Sequence, residues 1–418
     1  MQTNLADFIR DTPEGKRAEQ ILRNCVHCGF CTATCPTYQL LGDELDGPRG
    51  RIYQIKLFLE GETPSPHIRD HLDRCLVCRS CETTCPSGVD YHHLLDIGRE
   101  ALEERAPRSL PERLLRRAMV WLFSDPRHFA PLLGLARLVR PALPAALRNK
   151  VLPRRPLPAP AQPTPGGKGR RMLMLDGCVQ PALAPQINRA LSLLLDRLGI
   201  ETLGVPQAGC CGALPQHLSD AQRAREIARR NIDAWLPELE AGAEALVVTA
   251  SGCGAHVKDY PTLLAGDPDY AEAARQIAEK ARDPVEILLA EDLRRLHLKP
   301  RAKRIAVHTP CSLQHGLGLG GRIQSLLTRL GYTLAETTED HLCCGSAGTY
   351  SLTQPAIASR LRARKLQALR IDAPDLIVTA NIGCLGHLQD EGGTPVAHWL
   401  NLLAEDLPPL PESSPATG

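Results

Sequence analysis

The sequence is poor in aromatic side chains, 4% of its 418 residues, and nearly balanced in charge, with a formal net charge of +2. Few stacking platforms and no basic excess argue against a nucleic-acid binder, and the balance argues against a disordered polyelectrolyte. No uninterrupted apolar run approaches the roughly 18 residues that cross a bilayer. The opening MQTNLADFIRDTPEGKR lacks the basic start and apolar core of an export signal. We therefore expect a cytoplasmic chain with reduced thiols, any membrane contact being peripheral or through a partner. Also missing are a G-x-G-x-x-G after a strand, a Ser-His-Asp set and paired carboxylates. A flavin or nicotinamide site, and a catalytic base, are expected on other chains.

Cysteine is what the sequence has. There are 16, too sparse for a small disulfide scaffold, and eight lie between Cys25 and Cys85 at spacings too tight for pairwise disulfides. With 43% hydrophobic and 23% charged residues, a chain of this length makes roughly three ordinary globular domains.

Two runs, Cys25-Val-His-Cys28-Gly-Phe-Cys31-Thr-Ala-Thr-Cys35-Pro36 and Cys75-Leu-Val-Cys78-Arg-Ser-Cys81-Glu-Thr-Thr-Cys85-Pro86, share the form C-x₂-C-x₂-C-x₃-C-P. Three close cysteines cover three corners of a [4Fe–4S] cube, and the fourth, past a turn, reaches the other cluster where two runs pair. Cys25, Cys28, Cys31 and Cys85 are assigned to one cluster; Cys75, Cys78, Cys81 and Cys35 are assigned to the second. Two Cys₄ zinc sites would leave the third x₂ cysteine and the trailing Cys-Pro superfluous. Between the runs, Ile52, Ile55 and Leu59, then Ile68, Leu72 and Leu76, follow helical spacing. His27 and Arg79 read as exposed polar fill. The Asp43–Arg51 segment reads equally as a partner dock or as a loop with internal ion pairs.

The stretch 105–155 carries twelve Lys/Arg against two acids and is followed by a proline-rich linker at 153–169. Leu110, Leu114, Leu115, Trp121, Leu122, Phe129, Leu132, Leu133, Leu138 and Leu143 beside the arginines suit an interfacial helix, although a connector packed on the protein itself or on a partner is favoured.

Beyond the linker the chain repeats. Cys178, Cys210, Cys211 and Cys253 recur as Cys311, Cys343, Cys344 and Cys384 at offsets of 133, 133, 133 and 131. Each unit alternates strand and helix: strands at 172–176, 201–205 and 245–250 in the first and 304–308, 332–336 and 375–380 in the second, with helices at 186–198 and 219–236, then 323–330 and 355–369. Alternation predicts parallel sheets whose strand ends carry the cysteines. The fold class is thus α + α/β: a helical twin-cluster ferredoxin domain (1–105), a basic connector and linker (106–169), two tandem α/β Cys-Cys-Gly repeats (170–300 and 301–408), and a tail (409–418).

The paired runs, DELDGPRGRIY, the two Cys-Cys-Gly units with SGCG and HLCCGSAGTY, and the ANIGC end resemble the iron–sulfur subunit of bacterial glycolate oxidase over roughly residues 20–400. The resemblance implies an electron-transfer subunit, non-catalytic alone. It would work with flavin-containing (FAD) partner subunits that oxidise glycolate to glyoxylate, pass electrons to a quinone or other acceptor, and associate peripherally with the inner face of the cell membrane. The same layout also resembles the iron–sulfur subunit of glycerol-3-phosphate dehydrogenase and the cysteine-rich subunits of heterodisulfide reductase. In the latter the repeat ends in Cys-x-x-Cys and does disulfide chemistry, whereas this sequence ends in Cys253-Gly-Ala-His256 and Cys384-Leu-Gly-His387. The eight repeat cysteines admit three roles: a further cluster in at least one repeat, zinc or redox-active thiols, or packing. His256 and His387 could each replace a cluster ligand, as in Rieske centres, but read rather as surface residues at helix starts, and His308 and His315, flanking Cys311, read as structural.

Overall fold

The structure, a computed structural model, describes residues 1–142, 169–390 and 392–409. Most of the expected linker, the basic residues Arg148, Lys150, Arg154 and Arg155, and nearly all of the tail lie outside them.

Residues 1–142 contain helices and no strand. Thr12 caps the Pro13–Asn24 helix by accepting from Gly15 N, with proline at the first helical position. Helices Pro48–Leu59 and Tyr91–Arg105 pack closely because Gly98 offers no side chain; a Cβ there would lie 2.9 Å from Ile55. Leu22, Ile55, Leu59, Leu72, Leu94 and Leu95 are fully buried around this contact. The Asp43–Arg51 segment is pinned from inside: buried Asp46 accepts from His71 Nδ1 and Arg74 at 3.0 Å each, and Arg51 Nε donates to His71 O at 2.7 Å. Internal ion pairs, rather than a free docking loop, account for these charges.

Each repeat forms a four-stranded parallel sheet of the same order. Strands β1 (Arg170–Met174), β2 (Ile200–Gly204), β3 (Leu246–Val247) and β4 (Ala281–Arg282) lie in the order β2-β1-β3-β4. Strands β5 (Arg304–His308), β6 (Thr333–Leu334), β7 (Leu376–Thr379) and β8 (Val396–His398) lie in the order β6-β5-β7-β8. The fourth strand of each sheet is additional to the three expected, and β3 and β6 are shorter than the stretches 245–250 and 332–336 in which they lie. The helix expected at 219–236 runs from Ala221 to Glu240; Pro237 does not end it, and Ala241 N still bonds Pro237 O. The repeats share one apolar core in which the Gln186–Arg197 helix packs on the Trp399–Glu405 helix. His398, fully buried, donates from Nε2 to Thr249 O and accepts at Nδ1 from Leu400 N, tying β8 to the end of β3.

Candidate metal centres

In both N-terminal runs the backbone turns left-handed at the same two positions: His27 (φ 56°) and Gly29 (φ 87°) in the first, Val77 (φ 50°) and Arg79 (φ 59°) in the second. For a β-branched valine this is strained, and such strain persists only where the surroundings demand the conformation. It wraps the loop around its own cysteines, as Val77 N, 3.4 Å from Cys75 Sγ, shows.

Cys25, Cys28, Cys31 and Cys85 line one recess together with Cys81, Gly29, Arg49 and Tyr91. Cys35, Cys75, Cys78 and Cys81 line a second, with Thr37, Arg51 and Tyr91. Cys81, Pro48 and Tyr91 belong to both walls, so the recesses are adjacent. Thr37 Oγ1 lies 3.2 Å from Cys35 Sγ and Tyr91 OH 3.6 Å from Cys75 Sγ, polar contacts of the kind that tune a cluster. Burial pushes the Cys31 thiol up to about 11, and Cys78 and Cys81 well above the ordinary value. Thiolates here need a compensating positive charge, which bound iron supplies. The donor set, eight thiols around two recesses with Cys81 in the common wall, fits a [4Fe–4S] cluster in each.

Arg79 is not exposed fill. It is ion-paired with Asp259 of the first repeat, and both side chains are mostly buried. His92 joins this contact, with Nδ1 2.9 Å from Glu82. Burial alone would raise the Asp259 carboxyl, but His92 and Arg79 hold it well below the usual range. No motif marked this polar joint, because its members come from three distant segments. The second repeat meets the cluster domain through apolar packing together with neutral hydrogen bonds: Leu76, Cys78, Cys311, Cys343 and Tyr350 form one cluster, and Tyr350 OH donates to Arg74 O at 2.9 Å.

In the repeats the cysteines stand in rows. Gly212 (φ 94°) and Gly345 (φ 90°) make the tight bend after each Cys-Cys pair, and their N–H groups lie 3.4 Å from Cys210 Sγ and Cys343 Sγ. In the first repeat the Cys178, Cys210, Cys211 and Cys253 thiols act on one another along the row, and Cys178 and Cys211 hold the Cys210 thiol well below its ordinary value. Asn231 Nδ2 donates to Cys210 O and Tyr260 OH to Cys211 O, fixing this turn. In the second, Cys311 Sγ and Cys343 Sγ are 3.7 Å apart, and hydrogen bonds run on from Cys343 to Cys344 and Cys384.

The histidines depart from expectation. His256 is buried, with Nε2 beside the first Cys-Cys-Gly turn, because the Ser251–Lys258 helix that carries it starts inside the protein. His387 is half-buried and donates from Nε2 to Ala358 O. His308 lies with Cys344 and Cys384, each ligand atom within 4.8 Å of the others. His315 bonds Thr83 and His341 O, a structural tie between the cluster domain and the second repeat. The glycines Gly316, Gly318 and Gly321 have G-x-G-x-x-G spacing but lie beyond Cys311 rather than directly after β5. Gly316 serves packing, since a Cβ there would lie 3.1 Å from Ala255 of the first repeat.

A helical domain with paired four-cysteine recesses, joined to a duplicated cysteine-rich α/β unit, is an iron–sulfur electron-transfer subunit. The 4Fe-4S dicluster domain family matches residues 21–89, and the Cysteine-rich domain family matches 172–258 and 305–389. The chain is 51% identical to the glycolate oxidase iron-sulfur subunit of Escherichia coli (strain K12), over 97% of this chain and 99% of that one. It is 31% identical to the probable glycolate oxidase iron-sulfur subunit of Bacillus subtilis (strain 168), over 87% of each. The chain belongs to the family of glycolate oxidase iron–sulfur subunits. A crystal structure of a hypothetical protein from Helicobacter pylori, 11% identical, shares the fold with a TM-score of 0.53 over 94% of this chain and 72% of that one.

Proposed function

We propose that this chain is the electron-carrying subunit of a glycolate-oxidising complex, taking electrons from flavin-containing partner subunits and delivering them to a quinone or other acceptor. The observation that carries the reading is the pair of adjacent recesses with a common wall of Cys81, Pro48 and Tyr91. In this reading Cys25, Cys28, Cys31 and Cys85 hold one [4Fe–4S] cluster, and Cys75, Cys78, Cys81 and Cys35 the other. When bound, the clusters supply one-electron redox chemistry. The chain's own residues keep them close, screen them from water and set their surroundings through Thr37, Arg51 and Tyr91. A further cluster belongs to the Cys-Cys-Gly rows. The unit boundaries are taken near 105, 169, 300 and 408, the two repeats folding as a pair on their common core.

For localisation, no helix among the described residues is long and apolar enough to cross a membrane. The Leu110–Phe123 and Pro126–Leu138 helices leave Leu110, Leu114, Leu115, Trp121, Leu132, Leu135 and Leu138 exposed. That apolar face, beside Arg113 and Arg117, supports peripheral contact with the inner face of the membrane.

The test is anaerobic purification with iron and sulfide counts and EPR. About eight of each from the N-terminal domain, with interacting signals on reduction, are expected. Glycolate should reduce the chain only when the flavin subunits are present. Glycolate-dependent reduction of the isolated chain would overturn the reading.

A further inference from the structure

The Asp43–Arg51 segment brings two arginines to the cluster recesses from a single turn of helix. Arg49 and Arg51 belong to the Pro48–Leu59 helix, where residues two apart face away from each other. Pro48, the first residue of that helix, stands in both recess walls. Arg49 lines the recess of Cys25, Cys28, Cys31 and Cys85, and Arg51 lines that of Cys35, Cys75 and Cys78. Gly50 between them lets the turn close, because a Cβ there would run into Glu44 O. Each recess thus receives one guanidinium.

As charges the two are not equivalent. The Arg49 side chain is 36% exposed and its Nε bonds Glu44 at 2.6 Å, so water and a carboxylate of its own offset most of its field. The Met1 ammonium, which donates to Cys25 O at 2.7 Å, is also partly exposed and screened. Arg51 is 1% exposed. Its Nε donates to His71 O at 2.7 Å, and its Nη1 and Nη2 to Thr37 Oγ1 at 3.2 and 3.3 Å, all uncharged acceptors. The nearest carboxylate, Asp46, stands off at 3.5 Å and is shared with Arg74 at 3.0 Å. Two guanidiniums against one carboxylate leave a buried positive charge in excess at this wall. Arg79, the other arginine of the second recess, is offset by Asp259. Burial alone would lower the Arg51 pKa, but Cys75, Tyr91, Cys35 and Asp46 raise it, so the cysteines of this recess feel its charge. Thr37 Oγ1, on which Arg51 donates, is itself 3.2 Å from Cys35 Sγ. A guanidinium is a fixed charge at any working pH.

We propose that Arg51 is a positioning residue for the electron: its buried, incompletely offset charge favours reduction in the recess of Cys35, Cys75, Cys78 and Cys81 over reduction in the neighbouring one. The inference rests on the ligand assignment of the proposed function. The potential of an iron–sulfur centre follows its net charge, the hydrogen bonds around its sulfurs and its exposure, and a fixed cation in a dry wall lowers the energy of an added electron. No bond forms or breaks and no proton moves. The electron then rests in the recess whose Cys78 packs on Cys311 and Cys343 of the second repeat, and the turn that supplies both arginines sets the direction of transfer between the recesses.

The experiment is an EPR-monitored redox titration of the full chain, purified anaerobically with its partner subunits, in wild type, Arg51→Met, Arg51→Lys, Arg49→Met and Asp46→Asn, with iron and sulfide counted per chain. Arg51→Met leaves Asp46 its contacts with His71 and Arg74, so no carboxylate is stranded. In Arg51→Met one midpoint is expected to fall by at least a tenfold change in the oxidised-to-reduced ratio, about 59 mV for one electron, while its neighbour stays in place. Arg51→Lys keeps a charge and should retain most of the wild-type value. Arg49→Met should move the other midpoint, and by less. Asp46→Asn removes the opposing charge and should raise the midpoint that Arg49→Met leaves in place, a rise that loosened packing does not produce; it reports even where Arg51→Met fails to fold. Unmoved midpoints in Arg51→Met protein with its irons intact, an equal fall in Arg51→Lys and Arg51→Met, or a fall in Asp46→Asn would overturn the proposal. Failure of the twin-cluster reading shows differently, as fewer than about eight irons in wild type itself.

Discussion

The first repeat meets the cluster domain through charge, Arg79 and His92 against Asp259, while the second meets it through sulfur and aromatic packing, Cys78 against Cys311, Cys343 and Tyr350. The two carry the same strand order and the same row of thiols. What differs is the setting: the first has its Cys-Cys turn locked by Asn231 and Tyr260, and the second has thiols packed beside Cys78 of the cluster domain. Duplication has kept the scaffold while the surroundings of the thiols diverge; in the proposed function the second repeat, packed on Cys78, is the one nearer the electron path.

The largest expected effect separates them directly. Cys343→Ala should slow acceptor reduction by on the order of 10- to 100-fold while leaving flavin reduction by glycolate intact, and Cys210→Ala should act less on this rate. Equal slowing by both would erase the functional asymmetry. Trp235, fully buried in the first repeat, should lose about 3–5 kcal/mol as Trp235→Ala, read by urea denaturation.

The two bends give a sharper contrast. A Cβ at Gly345 would stand 2.9 Å from Ala358 O and Leu361, whereas at Gly212 the nearest atoms are 3.2 and 3.3 Å away. Gly345→Ala should cost about 3 kcal/mol and Gly212→Ala nearer 1–2, both in the left-handed region. Tm shifts of equal size would show that the second bend is not the tighter.

The tie between the repeats carries a pH dependence. Burial lowers His398 to about 4, against hydrogen bonds to backbone carbonyls that favour the charged ring. A folded value below the unfolded 6.5 means that stability is full above pH 6.5 and is lost as pH falls toward 4, at most about 3 kcal/mol. His398→Gln should flatten urea-denaturation stability between pH 6.5 and 4; an unchanged slope would place the titration elsewhere.

How far the sequence could be read follows from how local each signal is. The cysteine runs, the repeat offsets and the apolar stretches around three strands of each unit are local patterns, and the parallel sheets and the helical cluster domain correspond to them. β4 and β8, at two and three residues, carry no period. The burial of His256 depends on where its helix starts, and the Arg79–Asp259 pair joins residues 180 apart; both belong to tertiary packing. His308 was visible three residues before Cys311, but its convergence on Cys344 and Cys384 arises only when β5 and β7 pair.

The central claim, that this chain receives electrons from flavin partners and releases them beside the second repeat, is tested most directly by stopped-flow on the assembled complex, following flavin and acceptor separately after mixing with glycolate. The account predicts that Cys343→Ala leaves flavin reduction at the wild-type rate and stalls the acceptor. Acceptor reduction at the wild-type rate in a folded, cubane-replete Cys343→Ala complex would contradict it.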